Sequence, residues 1–154
     1  MIRTLAAIGV VVGTVLACAA QSATSATAVH LNGGGAASQG ATAFSQVAFN
    51  VSIDSSGNAS GSFECLMAGR SASVLGPFNL AHNMIVHATP ATGSVDGSVV
   101  TFDGPARLTL DGSTKMSVHV HVWANVATQQ FELKVVEIGA IGVETLTSGE
   151  ISLR

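Results

Sequence analysis

His119-Val120-His121 places two imidazoles two residues apart. On an extended strand that spacing puts both rings on one face, where they can converge on a single ion. Zinc and copper take neutral imidazole nitrogens in sets of three or four ligands, so a site needs at least one more donor. His87, in another alternating segment, could supply it, with His82, Glu132 or Met84 as more distant options. His119, His121 and His87 are therefore the candidate zinc or copper ligands. The competing reading makes both histidines polar residues on the solvent side of a strand, beside the only tryptophan, Trp123.

Other chemistry is less developed. Serines and histidines are plentiful, but no G-x-S-x-G elbow sets a nucleophile beside a base. Asp103 and Asp111 flank one segment, yet turn aspartates commonly serve local hydrogen bonding. Gly33-Gly34-Gly35 is not followed by Lys-Ser/Thr or by an amphipathic helix, so the phosphate-loop reading fails. Three glycines within a strand should instead mark a bulge, a bend or a close backbone approach. Asn50-Val-Ser52 and Asn58-Ala-Ser60 match the glycosylation sequon, which a serine-rich β-protein produces by chance.

The histidine pair belongs to residues 104–124, where Leu108 and Leu110 alternate with polar neighbours before Asp111-Gly112. Met116, Val118, Val120 and Val122 then alternate with Ser117, His119, His121 and Trp123. Period-two alternation on both sides of Asp-Gly predicts an antiparallel hairpin with one aliphatic face. Residues 43–53 and 61–67 repeat the design around the turn chemistry of Asp54 to Asn58. Residues 81–89 are predicted as a strand, 90–93 as a turn, and 95–102 as a strand with Asp96-Gly97 as a turn or bulge within it. Asp103-Gly104-Pro105 reads as a connector, residues 129–136 and 145–153 as further strands, and 71–75 as a short one. Residues 138–144 give no clear pattern.

Nothing after residue 28 has a helical period. Eight to ten strands with turn signals every 8 to 14 residues predict an all-β domain, an antiparallel up-and-down or meander barrel with the β-sandwich as alternative. The inward set would include Phe49, Phe63, Phe102 and Phe131. A solid core is the favoured expectation, since a small domain needs apolar burial, and a hollow barrel holding an apolar molecule is the alternative. Cys65, in phase with Phe63 and Met67, is expected to be buried and inert.

The first 28 residues read as an export signal. Arg3 gives a short positive n-region, residues 5–20 are apolar, and Ala26-Thr27-Ala28 is an A-x-A cleavage site that leaves 29–154 as a single β-domain. Val15-Leu16-Ala17-Cys18 also resembles a bacterial lipobox, which implies a lipidated Cys18 anchoring the chain to a membrane. Secreted or periplasmic placement is the expectation, with attachment to the outer face of a membrane as alternative. Six Lys/Arg against nine Asp/Glu give a net charge of −3, and losing Arg3 makes it one unit more negative. That balance and the absence of a basic run argue against nucleic acid as a partner. No later stretch is apolar and long enough for a transmembrane helix. With Cys18 processed away, no second cysteine remains to form an intramolecular disulfide.

The glycine triplet after the leader, followed by FNVSIDSSGNASGSF, VVTFDG and the terminal TLTSGEISL, resembles small exported bacterial β-rich proteins of uncharacterised function. The resemblance implies an extracytoplasmic β-domain and carries no functional residue. The expected function is an exported, non-enzymatic binding or structural module of the cell envelope or extracellular space. A small-ligand or metal-binding barrel is the second expectation and an enzyme the third.

Overall fold

Each alternating stretch in the described chain is a strand, because alternation gives an extended segment one face to bury and one to hydrate. The computed structural model describes residues 28–40, 44–68 and 83–154. The leader with Cys18, the stretch 69–82 with the expected strand at 71–75, and His82 lie outside them. In chain order the strands are β1 (Val29–Ser38), β2 (Phe44–Ile53), β3 (Ala59–Met67), β4 (Met84–Ala88), β5 (Thr92–Asp96) and β6 (Val99–Leu110). They continue with β7 (Ser113–Asn125), β8 (Gln130–Val135), β9 (Gly139–Ala140), β10 (Glu144–Leu146) and β11 (Glu150–Leu153).

All pairings are antiparallel, and β10-β1-β2-β3-β4-β6-β7-β8 closes into a ring of eight strands through the β10–β8 pairing. Around the ring the strands follow chain order, the up-and-down arrangement expected, with β5 and β9 passed over and β10–β1 closing the circle. Closure of the ring removes most free edges, which suits a chain with few charges to protect them. β5 extends the slot of β4 along β6, while β9 and β11 extend that of β10 along β8 and β1.

The inside of the ring is packed. Phe49 and Phe63 face each other across β2 and β3 with ring centroids 5.1 Å apart. Phe102 lies 5.6 Å from Phe63, and Phe131 lies 5.9 Å from Phe49 in an edge-on arrangement. Such separations are in the favourable range for tilted and T-shaped rings. Val118, Val120 and Val122 point into the same core, and Cys65 is fully buried. Met116, in phase with those valines, is 37% exposed beside the end of the hairpin.

Four local expectations are corrected. Asp103-Gly104-Pro105 is not a connector but the middle of β6. Gly104 is needed because a Cβ there would sit 2.2 Å from the Thr89 carbonyl oxygen. Pro105 is tolerated because its carbonyl accepts from Thr89 where the partner strand breaks, so its missing N–H falls on an interrupted ladder. Residues 89–91 do not reverse the chain: β4 and β5 pair successive parts of β6 in the same direction, with buried Pro90 at the kink. The reversal comes at Gly97-Ser98, a hairpin turn that divides the strand expected at 95–102. Residues 145–153 form two strands, β10 and β11, interrupted at 147–149. The unassigned stretch 138–144 contains β9 and the start of β10.

Candidate functional site: the outer wall

Four histidines lie within the described residues, and all four project outward. His30 Nδ1 meets Ser52 Oγ at 2.7 Å, on the paired position of β2. His121 Nδ1 meets Asp103 Oδ1 at 2.8 Å across β6 and β7. His119 Nδ1 lies 3.2 Å from Glu137 Oε1, and His87 Nδ1 lies 3.2 Å from Glu64 Oε2. A carboxylate only accepts, so the hydrogen bonds of His119 and His121 place the proton on Nδ1 and leave Nε2 as the acceptor when the ring is neutral.

The candidate metal set is distributed rather than gathered. His119 and His121 share the outer face of β7, but one leans to Glu137 beyond the end of β8 and the other to Asp103 on β6. His87 is on β4, with β6 between it and β7, a lateral separation of roughly 10 Å at ordinary strand spacing. Among the described residues no group of three or more His, Cys, Asp or Glu side chains is placed to hold a metal ion. Glu132 faces Trp123 across β7 and β8, and Met84 is buried in the core.

Glu137 does more than accompany His119. Both its carboxylate oxygens accept from the His119 backbone N–H at 3.0 Å, just past the point where β8 stops pairing β7. The side chain replaces the missing strand. These bonds, with the nearby imidazole, hold the carboxyl below its usual range of about 4.5. Asp54 plays the matching role in the β2–β3 turn, accepting from the Asn58 side chain and from the Ser56 and Asn58 backbone amides. Asn58 is the main cause that its carboxyl too is lowered.

Three hollows lie side by side across this wall. The first, about 360 Å³, is bordered by Gly35, Gln46, Ala48, Glu64, Leu66 and Ser148. The next, about 290 Å³, shares Ala48 and Glu64 and adds Asn50, Ser62, His87 and Thr89. The third, about 400 Å³, shares His87 and Thr89 and adds Pro105, Ala106, Arg107 and Ser117. They follow a single register row, since Ala48 faces Glu64, Glu64 faces His87, His87 faces Arg107 and Arg107 faces Ser117. Small side chains and the break between β4 and β5 leave this row indented.

Arg107 and Glu64 were not among the residues the sequence singled out, because both come beside His87 only through the register of β4 between β3 and β6. Two interior polar residues were missed as well. Ser45 and Glu144 are fully buried, and Ser45 Oγ has no hydrogen-bond partner among the described residues. Ser45 had a visible signal, being in phase with inward-facing Val47 and Phe49. Compared with protein-family models, with curated proteins and with solved structures, the chain shows no match, so its reading rests on the geometry.

Proposed function

We propose that the chain is an exported, non-enzymatic binding or structural module of the bacterial cell envelope or extracellular space. The observation that carries this reading is the division of labour between the two faces of the ring. The interlocked phenylalanines fill the interior, supporting a solid core over an apolar-ligand carrier. Polar and ionisable side chains are displayed on a wall whose strands are tied to one another, a rigid base for recognition. The carboxylate partners of the histidines give those imidazoles a structural role without metal. Residues 1–28 supply the export signal, with Cys18 as the anchor in the lipoprotein form.

Fractionation of the producing cell, with mass analysis of the recovered chain, tests this reading. The expected product is extracytoplasmic and begins at Val29, or at a lipidated Cys18. An unprocessed chain in the cytoplasm would contradict it.

A further inference from the structure

The third hollow has chemistry of its own. Arg107 projects from β6 between His87 on β4 and Ser117 on β7, its registered neighbours, whose Cβ atoms stand about 4.5–5.5 Å away at ordinary cross-strand spacing. The carboxylates nearest in the register are already engaged, Glu64 with His87 and Asp103 with His121. Among the described residues no carboxylate is paired with Arg107. An exposed guanidinium beside a hollow presents a planar fork that matches a carboxylate in two parallel hydrogen bonds.

The rest of the lining narrows the class. Glu64 Oε2 lies 3.2 Å from His87 Nδ1, and an imidazole whose proton sits on Nδ1 offers the Nε2 lone pair to a hydroxyl donor. Thr89 and Ser117 add hydroxyls that both donate and accept, and the exposed Pro105 ring gives an apolar surface for C–H groups. Among the described residues that line the hollow, a phosphate dianion would find Arg107 as the one cation, on a chain of net charge −3, a poor match. A monocarboxylate carrying neighbouring hydroxyls satisfies every group.

We propose that the hollow between β4, β6 and β7 binds a polyhydroxylated carboxylic acid of the uronate class, its carboxylate on Arg107 and a ring hydroxyl donating to His87 Nε2. The inference rests on the binding-module reading and supplies its ligand. The adjoining hollow, with Asn50 and Ser62, continues the polar lining toward β2 and would receive the next sugar of a chain.

The test is a titration of the purified protein, followed by heteronuclear NMR, with trimers of glucuronate and of galacturonate. Neutral glucose and galactose trimers, acetate and inorganic phosphate serve as comparison probes. Saturable shifts centred on Arg107, His87 and Thr89 are expected with at least one uronate trimer, and weaker ones with its neutral counterpart. Arg107→Ala should reduce the affinity at least tenfold and His87→Ala several-fold, while Lys134→Ala, a cation elsewhere on the wall, leaves it unchanged. Unaltered amide spectra of the free variants establish that they fold. Absence of saturation by both uronates, equal binding of phosphate, or indifference to Arg107→Ala overturns the proposal. If the uronates fail while the processed chain is found outside the cytoplasm and retained on isolated envelope material, the ligand class falls and the module reading stands. A cytoplasmic, unprocessed chain removes the reading beneath it.

Discussion

The β6–β7 hairpin and the seam where β1 meets β10 and β11 close the same ring by different means. In the hairpin, all of β6 pairs with β7 across one tight turn, with Asp111 at φ 48° and Gly112 at φ 79°. Chain entropy is small for such a local closure. At the seam, residues more than 100 positions apart must meet, and the pairing is fragmentary: Ala37 and Ser38 with β10, Leu31 to Gly34 with β11. Glycines let the backbones approach there, since a Cβ on Gly33, at φ 122°, would sit 2.0 Å from the Glu150 carbonyl oxygen. A side chain completes the far edge of β11. Gln129 Nε2 donates to the Ile151 carbonyl at 2.9 Å, and Gln129 Oε1 accepts from the Ile151 N–H at 2.9 Å. One wall is built of strands; the other is patched by glycine backbone and a single amide.

Substitutions can break this contrast, and the largest effect belongs to the core beneath the wall. Phe102→Ala removes a fully buried ring on β6 that packs on Phe63 and Phe49, and should cost about 3–5 kcal/mol of global stability in denaturant titration. Gly33→Ala forces a side chain into a left-handed position and against β11, with an expected cost of about 2–3 kcal/mol from the backbone conformation and the displaced pairing. Its distinguishing sign is loss of amide protection in β11 before any other strand. A Gly33→Ala protein with β11 still protected would mean that the approach at the seam is not tight.

Gln129→Ala leaves the Ile151 N–H and carbonyl without their amide partner and should cost about 1–2 kcal/mol, concentrated at the C-terminal strand. Acidification gives the smallest effect. Glu137 and Asp54 have lowered carboxyl values in the folded protein, so each contributes stability above its unfolded value, 4.5 for Glu137 and 3.8 for Asp54. That contribution is lost as the pH falls through the folded values. Stability should therefore decline below about pH 4.5, and Glu137→Gln should flatten the upper part of the decline.

The same contrast explains what could be read in advance. Local hairpins were legible because alternation and turn residues lie within a few positions of each other. Even there the sequence held a conflict. A two-residue turn at Asp111-Gly112 sets Leu110 opposite Ser113, which would put Asp103 across from Val120 and the two aliphatic sets on opposite faces. The register shift between Leu108 and Thr109 resolves it, and only after that bulge does Asp103 face His121. The parity mismatch between Leu108–Leu110 and Met116–Val118 was thus a signal for an extra residue. Gly104-Pro105 misled because the usual meaning of that pair is a loop, whereas here both residues answer the break in the neighbouring strand. Ser148-Gly149 hid the division of the last strand, and nothing local to Gln129 announces that it reaches Ile151. The candidate site was least legible. His87 was visible as a residue, but Glu64 and Arg107 join it only once β4 is set between β3 and β6, a placement that no tight turn announces.

Native-state hydrogen exchange compares the two closures in one experiment. The amides of β6 and β7, the wall that positions Arg107 and its hollow, should exchange only through global unfolding, with opening free energies equal to the stability from denaturant titration. Those of Ile151 and of Leu31 to Gly34 should open locally at lower free energy, and Gln129→Ala should lower Ile151 further while leaving β7 in step with global stability. Seam amides as protected as those of Val118 to Val122 would contradict the account.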